Sequence, residues 1–180
     1  NNDILETYQY DITKYKKRVS PVLLRQVLRS VALQAGTKFV YTIASKDVRS
    51  ALVKDALHLL TLAGLIVPVK HTSANGLPLG AEENDNYVKY LFFDLGVMQT
   101  MLGNPPSDTL LASEVDFVNK GAASEMFAGL ELLKYHDCFQ KAEMHYWQNT
   151  AKNALSEVDY LIAKNGKVLP IEVKASTQGS

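Results

Sequence analysis

The chain has 180 residues, 47% of them apolar and 21% charged, ordinary for a globular protein and enough for one domain or two small ones. No apolar run approaches the roughly 18–20 residues that cross a bilayer and no stretch reads as a secretory leader, so a helical membrane protein is excluded as the expected class. The formal net charge is zero, yet residues 1–70 hold 11 basic and 5 acidic side chains while residues 71–180 hold 8 and 14, an asymmetry that fits two modules facing different partners.

Asp3 to Arg18 reads as a polar helix carrying the basic run Lys14, Lys16, Lys17 and Arg18. Ser20-Pro21 then supplies an N-cap and a proline at the first helical position, and Leu24, Val27, Leu28 and Val31 follow at helical spacing. Lys38–Ile43 is β-branched and aromatic and predicts a short strand. Ser45 is expected to cap a second helix whose apolar stripe is Val48, Leu52, Ala56, Leu59, Leu60 and Ala63, with Gly64 at the left-handed position past its end. Strands are expected at Leu65–Lys70 and Tyr87–Phe93, separated by a polar loop with Asn75-Gly76.

Two helices followed by a two-stranded ribbon is the pattern of a winged helix. Its second helix offers only Arg49 and Lys54 as phosphate or base contacts, so packing is the favoured role over groove reading. Leu95–Leu102 predicts a short helix ended by Gly103-Asn104-Pro105-Pro106, a breaker cluster and expected domain boundary. Thr109–His136 is largely helical with Gly121 as an interruption. Strands follow at Glu143–Trp147, Glu157–Ala163 and Val168–Ala175, the last two joined through the turn dipeptide Asn165-Gly166.

The last hairpin is the informative region. Side chains alternate along a strand, so Glu157 shares a face with Asp159, and Glu172 shares one with Lys174. Such charges in otherwise apolar strands mean either a solvated face with cross-strand ion pairs or a site. Upstream, Glu125 lies beside the apolar stripe Met126, Leu130 and Leu133, either as a partly solvated boundary residue or as a carboxylate aimed at the hairpin. Cys138 is the one cysteine, which leaves no internal disulfide or cysteine zinc cluster and predicts a reducing cytoplasm. His58, His71, His136 and His145 lack metal-ligand spacing and read as structural or surface residues, and Tyr146 and Trp147 read as core aromatics. There is no G-x-x-x-x-G-K-[ST] loop to cradle ATP phosphates. Asn1 opens the chain in place of Met, so a piece of a longer protein is expected.

A helix Glu, a strand Asp and a Glu-x-Lys on the next strand resemble the PD-(D/E)xK nuclease superfamily. More narrowly, the chain resembles the C-terminal region of bacterial and archaeal AAA-type ATPases that end in a domain of unknown function. The matching words are Gly121-Ala122-Ala123-Ser124-Glu125, Tyr146-Trp147, Glu157–Ile162 and Pro170–Ala175, with Ala63–Ile66 and Leu91–Gly96 resembling that family's connector. The resemblance implies a mixed α/β (α+β) fold: a winged-helix-like connector over residues 1–103, then a truncated restriction-endonuclease-like domain over residues 107–180. It also implies that Asp159 and Glu172 hold Mg²⁺, that Lys174 positions a water and offsets phosphate charge, and that Glu125 orients the metal shell or helps hold a second ion. Glu157 is adjacent and can join.

ATP would bind only in a domain outside this chain. The implied partners are that ATPase domain and DNA or RNA, with no membrane. Against a Mg²⁺-dependent nuclease stand two further readings: a non-catalytic module that regulates the ATPase, and a winged helix that binds DNA by itself.

Overall fold

The computed structural model describes residues 19–103, 120–136, 143–151 and 156–175. The expected helix from Asp3 to Arg18, the Asn104-Pro105-Pro106 breaker and the first part of the helix expected from Thr109 lie outside those residues.

Helix α1 (Pro21–Leu33) starts where the extended Ser20 accepts a hydrogen bond from the Leu23 N–H at 3.2 Å, with Pro21 at the first position. Leu24, Val27, Leu28 and Val31 are buried as their spacing requires. The next stretch departs from expectation. Phe39 N–H makes one bond to the Val88 carbonyl at 2.8 Å, but the chain then turns into a short helix, α2 (Tyr41–Ala44). The buried Gln34 side chain accepts from Val40 N–H at 2.7 Å and donates to Val40 O at 3.3 Å, which withdraws both groups from a ladder. That capture outweighs the β preference of Val40 and Ile43.

Ser45, expected to open the second long helix, ends α2 instead, its N–H on the Tyr41 carbonyl. Helix α3 (Ser50–Leu62) begins later, with Arg49 at an N-cap that has no side-chain bond. It buries Val53, Ala56, Leu57 and Leu60, whereas Leu52 is exposed. Leucines lie all round this helix, so apolar periodicity alone pointed to a neighbouring face. Gly64 has φ +71°, as a left-handed helix end requires.

Strand β1 (Ile66–Thr72) and strand β2 (Glu83–Phe92) pair antiparallel. Asp94 caps helix α4 (Leu95–Met101) through the Val97 N–H at 2.8 Å. Helix α5 (Lys120–Lys134), strand β3 (Met144–Gln148), strand β4 (Glu157–Lys164) and strand β5 (Lys167–Ile171) complete the described chain. Asn165 and Gly166 both take positive φ in the β4–β5 turn, as the dipeptide predicts.

All five strands form one open mixed sheet in the order β2-β1-β3-β4-β5, with β3 parallel to β1 and the other neighbours antiparallel. The class is mixed α+β. Because β3 pairs with β1, the ribbon that follows the first helices and the C-terminal hairpin belong to the same sheet.

Helix α5 lies on this sheet at very short range. A Cβ on Gly129 would stand 2.8 Å from Leu91 Cδ1 and closer still to the Tyr160 hydroxyl. Glycine is the one residue that admits this approach. It lets the Tyr160 O–H pass the helix and donate to the Glu125 carbonyl at 2.7 Å, one turn back on the same face.

Candidate functional site: an acidic cluster around a buried lysine

The Tyr160 bond fixes helix α5 at the level of Glu125, and the carboxylate is met from the opposite side by the loop after α1. A Cβ on Gly36 (φ +75°) would come 3.1 Å from Glu125 Oε2. Carboxylate oxygens of Glu125, Glu157 and Asp159 lie within 4.8 Å of one another. Helix and strand thus bring together two residues expected at the site, Glu125 and Asp159, with the adjacent Glu157.

Lys89 on β2 fills the middle of this group. Its side chain is 3% exposed, and its ammonium donates to Glu125 Oε1 at 2.9 Å and to Glu157 Oε1. It also stands 5.0 Å from the ring centre of Tyr146, within cation–π range. Burial works against the charge on Lys89, but attraction to Glu125 and the hydrogen bonds to both glutamates outweigh it and raise its pKa. Burial raises the pKa of Glu125, opposed by Lys89 and reinforced by the charges of Asp159 and Glu157. With every group ionised, three carboxylates and one ammonium leave a formal charge of −2.

Asp159 has a second role. Its Oδ2 accepts the Val173 N–H at 2.7 Å. The strand expected to run from Val168 to Ala175 therefore leaves the ladder after Ile171, because the Val173 donor goes to a side chain and not to a β4 carbonyl. Glu172 and Lys174 lie beyond that point, pair with each other, and are exposed at 53% and 78% of their side chains. The hydrogen bond from Lys174 to Glu172 raises the lysine pKa, and the charge of Asp159 adds to it. Lys174 directly follows the residue whose N–H holds Asp159. Glu172 faces solvent with it and does not join the three-carboxylate group.

Three buried polar atoms lack a partner among the described residues: Tyr146 Oη, His71 Nδ1 and Gln148 Oε1. Tyr146 is fully buried, and burial followed by the charge of Glu157 raises its pKa strongly. Its hydroxyl is therefore a buried donor left unused among the described residues. A second group, Glu83, Glu143 and His145, joins β2 to the start of β3, with His145 Nε2 2.8 Å from Glu83 Oε1 and Lys70 on Glu83. Glu143 and His145 are two residues apart at the start of β3, but Glu83 comes from β2, so spacing along the chain gave no sign of the group.

Lys89 is the residue that reading along the chain missed. The signal was a single lysine inside Tyr87–Phe93, an otherwise apolar and aromatic run. Its partners lie 36 and 68 residues away, which no local pattern reveals.

Residues 1–108, more than half the chain, match the model of a family described as a domain of unknown function, DUF8612. Residues 120–180 match another, DUF4143, which is known as an ATPase-associated domain. Lys89 and Gly36 fall in the first matched region and the three carboxylates in the second. No curated protein and no solved structure matches the chain.

Proposed function

The chain belongs to the DUF8612 family, and we propose that it carries, across its two matched regions, a divalent-cation site acting on nucleic-acid phosphodiesters as part of an ATPase-linked protein. The observation that carries this reading is the convergence of Glu125, Glu157 and Asp159 within 4.8 Å, beside the exposed Lys174.

Three properties of these residues fit Mg²⁺. Carboxylate oxygens are the ligands a hard cation takes. The formal charge of −2 is balanced by one divalent ion. The buried Tyr146 hydroxyl, unpartnered among the described residues, is free to donate to an ordered water. Glu125, Glu157 and Asp159 would hold the ion, and when bound it would acidify a water and offset charge on the scissile phosphate. The remaining work falls to the chain. The Val173 N–H holds Asp159 in orientation, Tyr160 and Gly129 hold the helix that presents Glu125, and Lys174 is free to turn from Glu172 to a phosphate oxygen. The winged-helix-like order of α1 to β2 and the restriction-endonuclease-like order of α5 to β5 are part of this reading.

The test is cleavage of end-labelled single- and double-stranded DNA and RNA by the full-length protein with Mg²⁺ or Mn²⁺, against Asp159→Asn. Metal-dependent products from the wild type and none from the variant are expected. Equal products from both would remove the assignment.

A second reading has its own observation. Lys89 already neutralises part of the cluster and joins the two matched regions, as a non-catalytic module docking on an ATPase domain would need. Under it, neither protein cleaves and neither binds metal.

A further inference from the structure

We propose that the Lys89 ammonium stands in a cation position of the acidic cluster, so that removing it makes room for one more divalent ion than the wild-type chain takes. The inference deepens the proposed function and rests on the same carboxylates. Its own basis, however, is the geometry of Lys89.

Lys89 is 3% exposed and reaches two carboxylates of the group at once, from a strand on the other side of β1 and β3. A buried ammonium must be paired with oxygens, and this one is paired twice, in the middle of the only described group that includes Asp159. An ammonium is a compact point charge with three donors and no acceptor, so it binds carboxylates much as a small cation does. Here it spans Glu125 and Glu157, while Asp159 Oδ2 is taken by the Val173 N–H. Three carboxylate oxygens within 4.8 Å of one another can bind a divalent ion once the ammonium no longer spans two of them. With Lys89 in place the formal charge calls for one such ion. Without it the charge falls to −3 and one carboxylate pair is unbridged. The Tyr146 ring centre stands 5.0 Å from Lys89 Nζ, and its buried hydroxyl has no partner among the described residues.

The experiment counts Mn²⁺ bound per full-length chain by calorimetry and by the loss of free-ion paramagnetic resonance signal. It compares wild type, Lys89→Met and the double variant Lys89→Met/Glu157→Gln. Methionine keeps the length and apolar stem of lysine without its charge. One additional ion in Lys89→Met, lost again in the double variant, is the expected result. An equal count in wild type and Lys89→Met overturns the inference.

The wild-type count reports separately on the proposed function. No ion in the wild type and one in Lys89→Met would keep Lys89 as the resident cation while removing the metal-dependent reading. Lys89→Met can also fail to fold without metal. Recovery of its cooperative melting transition on adding Mn²⁺, with no such dependence in the wild type, then carries the same meaning as the extra ion. A variant that stays unfolded at every Mn²⁺ concentration overturns the inference, since no metal then replaces the ammonium.

Discussion

Lys89 Nζ donates to Glu125 Oε1 at 2.9 Å, so a strand from the first matched region and a helix from the second are joined by a charge pair with almost no access to water. Breaking such a pair from one side leaves a buried charge with no partner, at a cost of about 3–5 kcal/mol. Lys89→Met in EDTA is therefore expected to lose that much in urea unfolding. Adding Glu125→Gln and Glu157→Gln removes the stranded carboxylates and should restore most of the loss. A Lys89→Met protein as stable as wild type would mean that the pair contributes nothing.

Gly129 governs how closely helix α5 lies on the sheet. On helix propensity alone Gly129→Ala gains about 1 kcal/mol. The new methyl group would collide with the Tyr160 ring and with Leu91 Cδ1, both in packed surroundings. Overpacking costs about 1–3 kcal/mol, so the net effect is destabilising. Tyr160→Phe removes the atom nearest the added methyl, and with it the bond to the Glu125 carbonyl. In a double-mutant cycle the two changes should cost less together than the sum of their separate costs. Additive costs would show that the contact is not the cause.

Local chemistry made much of the fold legible. Ser20-Pro21, Gly64 and Asn165-Gly166 each demand one backbone geometry, and each takes it. The failures share a cause in distant contacts. Gln34 turns Val40 out of a strand, leucines around α3 hide its buried face, and the Asp159 side chain draws Val173 off the ladder. The site shows the same division. Period-two alternation put Glu157 beside Asp159, but no sequence rule could bring Lys89 from β2 to them.

Acid should weaken the protein through Glu83. Burial raises the pKa of this carboxylate, but the hydrogen bonds and charges of Lys70 and His145 outweigh it and leave the net pKa below the usual 4.5. A carboxylate depressed in the folded state contributes stability that is complete above its unfolded pKa and is lost as pH falls through the folded value. The contribution should hold at pH 6 and fade below about pH 4.5. Glu83→Gln should therefore be less stable than the wild type at pH 6 and differ little from it near pH 3, as read from urea midpoints. A constant difference across that range would assign the effect of Glu83 to packing.

Lys174 separates chemistry from architecture. It is exposed and touches Glu172, itself exposed, so Lys174→Gln should leave the urea midpoint and the Mn²⁺ count unchanged. If it offsets charge on a phosphate during cleavage, its loss removes an interaction made mainly in the transition state. Loss of one such stabilising group lowers turnover about 10²–10³-fold. Lys174→Arg keeps the charge but changes its shape, and should recover part of the rate. Single-turnover cleavage with saturating Mg²⁺ measures this directly. Wild-type rates in both variants would leave Lys174 outside the reaction, even where Asp159→Asn abolishes it.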